Sequence, residues 1–124
     1  MKIILPIAGV DKNFLKTFGQ NKILCKVGNK SMIENFCSSI SKKYELIILC
    51  RSTDIMHSNL LEVLSKVKNK RLVILDKLTS NAIETIIEAD HCIKNKNEDV
   101  LIAHPDGINE FNFIEFTKQK RKYH

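Results

Sequence analysis

Four runs of the chain are apolar at consecutive positions rather than at alternate ones. They are Ile3 to Leu5, Leu46 to Leu49, Leu72 to Leu75 and Val100 to Ala103. A strand that is apolar on both faces belongs in a parallel sheet covered by helices on each side. The intervening stretches follow helical spacing. Met32, Ile33, Phe36, Cys37 and Ile40 form one apolar stripe. Ser31 and Glu34 give that helix the pattern of a capping box, and Lys42 and Lys43 suit its negative end. Met56, Leu60, Leu61, Leu64 and Val67 mark a second helix, preceded by a loop over Arg51 to Asp54 with helix-capping residues. A third is expected from about Ala82 to Ile93, with Ile83, Ile86, Ile87 and Ala89 toward the core and Asn81 with Glu84 as a weaker capping pair. Asn112 with Glu115 can open a last helix, packed by Phe111, Ile114 and Phe116. Strands alternate with helices, so the expected class is α/β: three layers, α/β/α, around a mainly parallel Rossmann-like sheet with the first strand central.

One stretch breaks this rhythm. After Ile7, Ala8 and Gly9 the chain is polar as far as Lys22 and carries Lys12 and Lys16 on the way. The stretch is too long for a simple turn and reads as a loop. Loops of such length in a compact domain are commonly functional or disordered.

Composition narrows the class. The 124 residues suit one domain, 1–124, with a basic tail over about 118–124. A hydrophobic content of 44% with 27% charged residues fits a globular protein, and no apolar run is long enough to span a membrane. Met1-Lys2-Ile3 enters a strand directly, so no signal peptide is expected. The four cysteines, Cys25, Cys37, Cys50 and Cys92, lack a C-x-x-C spacing, which predicts reduced thiols in a cytoplasmic protein. The net charge of +6 favours an anionic partner such as a nucleotide or sugar phosphate. No aromatic interleaving marks a stacking platform, which argues against nucleic acid.

Ligands of open α/β sheets sit outside the carboxyl ends of the strands. Three stretches fall there. The first is the Gly9 to Lys22 stretch, whose small residues let a ligand approach the backbone. The second is Asp76 to Ala82, which leads into a helix. The third is Asp106, just after the fourth strand. A carboxylate beside a phosphate cradle can hold Mg²⁺, although Asp106-Gly107 is also an ordinary turn pair. No G-x-G-x-x-G, P-loop or Ser-His-Asp arrangement is present.

These residues, taken in order, resemble the sugar-phosphate nucleotidyltransferases of the GT-A-like fold, above all the capsule and surface-polysaccharide branch. Those proteins open with a strand and P-M-A-G-x-G-x-R-F, then a lysine before proline, then G-K-P-M-I-E. Here stand Pro6-Ile7-Ala8-Gly9-Val10-Asp11-Lys12-Asn13-Phe14, then Lys22-Ile23-Leu24, then Gly28-Asn29-Lys30-Ser31-Met32-Ile33-Glu34. The family segments L-D-K-L-T-x-G-A-A-x-T and L-I-A-N-S-D-Q are similar to Leu75 to Thr85 and to Leu101 to Gly107. The likeness runs from Met1 to about Phe116.

The resemblance implies that Ala8, Gly9 and Lys12 lie by the nucleotide phosphates. It implies that Thr79, Asn81 and Ala82 lie near the base. Lys22 would contact phosphate, and Asp106 would carry Mg²⁺; these two would be the catalytic residues. The implied reaction transfers a nucleoside monophosphate from a nucleoside triphosphate to a sugar phosphate or similar phosphorylated metabolite, with pyrophosphate leaving. Departures point to an alternative, a catalytically impaired binding or interaction module. Asp11 replaces a motif glycine, Asn13 the motif arginine, Ile23 the proline and Asn81 a glycine. Family members also continue into an acceptor-binding half that supplies a second aspartate. Apolar surface around Phe111, Phe113 and Phe116 is therefore expected to be covered by self-association or a partner subunit.

Overall fold

The computed structural model describes residues 1–9, 11–40, 42–106 and 113–120; of residues 113, 114 and 120 it describes the backbone alone. A four-stranded parallel sheet lies between two layers of helix. The strands are β1 (Lys2–Pro6), β4 (Glu45–Arg51), β5 (Lys70–Leu75) and β6 (Val100–Ile102), in the spatial order β5-β4-β1-β6. β1 is thus central, as the sequence predicts. Ile3 pairs with Leu46 on one side and with Leu101 on the other. A separate two-stranded antiparallel ribbon, β2 (Lys26–Val27) and β3 (Lys30–Ser31), turns through Gly28 at φ 65°.

The two-sided apolar runs fill two cores. Ile3, Leu5, Leu46, Ile48 and Cys50 point to one face, where they meet Ile33 of α2 (Met32–Ser39) and Leu60, Val63 and Leu64 of α4 (Leu60–Ser65). Ile4, Ile47, Leu49, Val73 and Leu75 point to the other, against Ala89 and Cys92 beyond α5 (Ala82–Ile87). Alternate side chains of one strand leave opposite faces, so each core takes every second residue. The central strands are fully covered. The outer ones are not: Ile74 on β5 and Val100 and Ile102 on β6 remain exposed.

Several helices differ from the sequence expectation. The stretch expected as one helix from Met56 to Val67 is two, α3 (Ser52–His57) and α4, broken at Ser58 and Asn59. The Ser58 hydroxyl donates to the Asp54 carbonyl and accepts from the Leu60 N–H, which ends one helix and starts the next. The expected loop over Arg51 to Asp54 is largely the start of α3. Of the residues that mark this stretch as helical, Met56 and Leu61 are exposed.

The third helix stops at Ile87 and continues only as a 3₁₀ turn over Asp90–Cys92. Its buried stripe is Thr85, Ile86, Ala89 and Cys92, whereas Ile83 and Ile87 stand on the opposite side, 71% and 63% exposed. At 100° per residue, positions 83 and 87 cannot share a face with 85, 89 and 92. Thr85 occupies the inward position because its hydroxyl is satisfied by the Asn81 carbonyl and by Thr79.

The last helix, α6, spans Phe113–Lys120. The Asn112 cap, Phe111 and the end of the basic tail lie outside the described residues, as do the side chains of Phe113 and Ile114. Phe116 is 37% exposed. All four cysteines are free; Cys50 and Cys92 are buried, and Cys25 and Cys37 only half-buried. Among the described residues no helix is long and apolar enough to cross a membrane.

Candidate functional site

The carboxyl ends of β1, β5 and β6 lie along one edge of the sheet, and each continues into one of the stretches singled out in the sequence. After β1, Ile7 is fastened by its N–H to the Leu49 carbonyl at 2.9 Å. Ala8 is buried, and Gly9 emerges exposed. A side chain at Gly9 would meet no atom of the described residues within 4 Å. Packing among the described residues therefore does not require glycine there.

The stretch from Gly9 to Lys22 is not the loop the sequence suggests. It holds a helix, α1 (Lys12–Phe18). Asp11 caps it, its carboxylate accepting the Phe14 N–H at 2.9 Å. Gly19 closes it at φ 69°, its N–H bonded to the Leu15 carbonyl at 2.8 Å. The Phe14 and Phe18 rings pack at 4.5 Å along one side, and no residue of α1 is buried. The Asp11 carboxylate is thus engaged by the Phe14 N–H at the start of α1. Lys12 stands exposed in the first turn of α1.

Lys22 starts a 3₁₀ turn, Lys22–Leu24, anchored by buried Ile23 and Leu24 and capped by the Asn21 side chain. On the far side Ala103 continues the β6 ladder, its N–H on the Ile4 carbonyl at 3.0 Å. Fully buried Pro105 then fixes the chain next to exposed Asp106. The two anchored segments meet: Lys22 Nζ lies 3.4 Å from Asp106 Oδ2, across 84 positions of sequence. Both side chains are partly open to solvent, at 37% and 51% exposure. An ion pair that exposed is held weakly, and a stronger anion or cation can take either partner.

The segment after β5 is arranged around Thr79, Asn81 and Ala82. Asn81 caps α5, its side-chain oxygen accepting the Glu84 N–H at 2.9 Å, and Glu84 Oε2 accepts the Ser80 N–H at 2.5 Å. Thr79 bonds Thr85. The pairing of Asn81 with Glu84 is therefore real, and it occupies the Asn81 oxygen; Ala82 is exposed.

At the carboxyl end of β4 stands Arg51, read from the sequence only as part of a capping loop. Its guanidinium holds Asp54 at 3.1 and 2.7 Å in a bidentate, partly buried pair. The three-residue spacing of Arg51 and Asp54 at a helix start is the signal that would have found it. Among the described residues no three His, Cys, Asp or Glu side chains cluster as metal ligands. Asp106 alone fits Mg²⁺ only as one carboxylate among oxygens supplied by a bound phosphate and water, a mode this cation does use.

No family model matches the chain, and no curated protein matches it. Solved structures do. The fold is similar to that of a nucleoside-diphosphate-sugar pyrophosphorylase from Vibrio cholerae RC9, with a TM-score of 0.65 at 15% identity. The match covers 93% of this chain and 52% of that one, so the chain spans about half the length of that protein.

Proposed function

We propose that this chain is a nucleotidyltransferase-like domain that binds a nucleoside triphosphate at the carboxyl edge of its sheet. The observation that carries the reading is the meeting of Lys22 and Asp106 there, on a fold similar to that of a sugar-nucleotide pyrophosphorylase. In this reading the triphosphate lies over Ala8 and Gly9, with Lys12 beside the phosphates and Thr79, Asn81 and Ala82 toward the base. Lys22 leaves Asp106 and neutralises phosphate charge. Asp106, freed, is the protein's ligand for Mg²⁺, which when bound screens the charge of the leaving pyrophosphate.

The reaction is attack by a phosphate-monoester oxygen, from a phosphorylated sugar or similar metabolite, on the α-phosphorus. The bond from that phosphorus to the bridging oxygen breaks, and pyrophosphate takes the electron pair. Lys22 and the backbone at Gly9 contribute by positioning and charge neutralisation. A role in surface-polysaccharide synthesis and a cytoplasmic setting, which suits the free thiols, belong to the same proposal.

A second reading is favoured by one observation. Among the described residues Asp106 belongs to no cluster of three metal-ligating side chains, and Lys22 already pairs with it. A site so furnished can bind a nucleotide or sugar phosphate without turning it over, beside a partner that supplies the rest. The test is pyrophosphate release from each nucleotide with a panel of sugar 1-phosphates. Transfer predicts turnover that Asp106→Asn lowers by about a hundredfold or more and that Lys22→Ala lowers together with triphosphate affinity. A binding module predicts no turnover, with nucleotide affinity kept or raised in Asp106→Asn. Turnover unchanged in Asp106→Asn would remove Asp106 from the site.

A further inference from the structure

Away from the carboxyl edge, a groove of about 450 Å³ runs between α2, the end of α4 and the start of β4. Its volume is in the range of small-molecule sites. Ile40, Leu46 and Val67 make its floor, all buried, and Cys37 and Tyr44 are half-buried in its wall. Four lysines border it: Lys30, Lys42, Lys66 and Lys68. Against them stands one carboxylate, Glu34, already committed to Lys66 at 3.2 Å and to the Ser31 N–H and hydroxyl at 2.8 and 2.9 Å. Lys30, Lys42 and Lys68 have no anionic partner among the described residues.

Three lysines without an anionic partner among the described residues border an apolar floor, and the positive field they set up there favours an anion. Three positive charges at one groove suit a dianion more than a single carboxylate. The floor suits a flat or aliphatic body, which gains by leaving water. The residues differ from those of the proposed nucleotide site, and Lys22, Asp106 and Gly9 take no part in it.

We propose that this groove binds a small phosphorylated molecule with an apolar body: the phosphate sits among Lys30, Lys42 and Lys68, and the body lies on Ile40, Leu46 and Val67 beside Tyr44. The Cys37 thiol faces the groove as a passive wall. Burial pushes it up to about 12, so it is not a nucleophile at neutral pH.

The probe is 2-naphthyl phosphate, titrated into isotopically labelled full-length protein and followed by amide shifts. Saturable shifts are expected at Cys37, Tyr44, Leu46 and Val67. The double substitution Lys42→Ala with Lys68→Ala should weaken them about tenfold, while Lys22→Ala should leave them unchanged. Salt raised from about 50 mM to about 0.5 M should weaken them as well. 2-Naphthol and inorganic phosphate, the two halves of the probe, should each bind at least about tenfold more weakly. Lys42 and Lys68 are exposed, so their loss should not unfold the chain, and an unchanged far-UV spectrum checks this. The proposal is overturned if the shifts fall on the carboxyl edge alone, if they are absent at millimolar probe, if the double variant binds as well as the parent, or if either half binds as tightly as the whole.

Discussion

Lys22 and Asp106 carry the functional reading, and each is placed by a neighbour rather than by its own bonds. Ile23 and Leu24 are buried beneath the lysine, and Pro105 is fully buried beside the aspartate. Their types and order were legible in the sequence as motif residues. Their approach to 3.4 Å was not, because it depends on β6 docking beside β1. Glu34 is the opposite case. Its cap with Ser31 could be read from three positions of spacing, and the structure shows both halves of the box. The Ser31 N–H, then the Ser31 hydroxyl, and more weakly Lys66, hold the Glu34 carboxyl down to about 2 from an ordinary 4.5, against the opposing effect of burial. A carboxyl depressed in the folded state stabilises the protein above its unfolded pKa, and that contribution is lost as pH falls through the folded value. Stability should therefore decline as pH falls from about 4.5 to about 2, and Glu34→Gln should flatten part of that slope. Urea midpoints across this range check it, and equal slopes in both proteins would contradict it.

At the scale of elements, capping decides where helices start more than apolar pattern does. Ser31→Ala removes the α2 cap at a buried position and should cost about 1–2 kcal/mol, read from chemical denaturation. A shift under a few tenths of that would mean the cap is dispensable. α1 was missed because its neighbours are polar and it buries nothing. Its ends were nevertheless in plain view as Asp11 and Gly19, with Phe14 and Phe18 one turn apart. The third helix erred the other way. Ile83 and Ile87 looked like core, but the inward stripe includes Thr85, a polar residue that apolar periodicity passes over. An exposed helix with no buried side chain opens easily. Amides of α1 should exchange far faster than those of β4, and bound nucleoside triphosphate, with its phosphates beside Lys12, should slow exchange in α1. Equal protection of α1 and β4 without ligand would show packing that the described contacts do not provide.

For the molecule as a whole, the sheet was the most legible feature, since runs apolar on both faces leave few other arrangements. β1 and β4 are buried on both sides, and Lys2 with Arg71 holds Glu45 at the opposite edge of the sheet, at 2.6 and 3.2 Å. Ile48→Ala, in the middle of β4 and fully buried, should cost about 2–5 kcal/mol. The outer strands were less legible, because cover depends on what packs beyond them. Val100 and Ile102 stay exposed on the face that carries α5, as do Ile83 and Ile87 on that helix. Apolar surface of that kind favours association. Weak self-association is expected in sedimentation at high concentration, and Ile83→Lys with Ile87→Lys should reduce it; a monomer at every concentration would count against that face as a contact.

The central claim, that the carboxyl edge of the sheet takes a nucleoside triphosphate, is tested most directly by calorimetric titration with the four ribonucleoside triphosphates, each with and without Mg²⁺. The expected result is saturable binding of at least one of them, weakened by Lys22→Ala and changed in its Mg²⁺ dependence by Asp106→Asn. No heat of binding from any of the four at millimolar concentration, or binding indifferent to both substitutions, would contradict it.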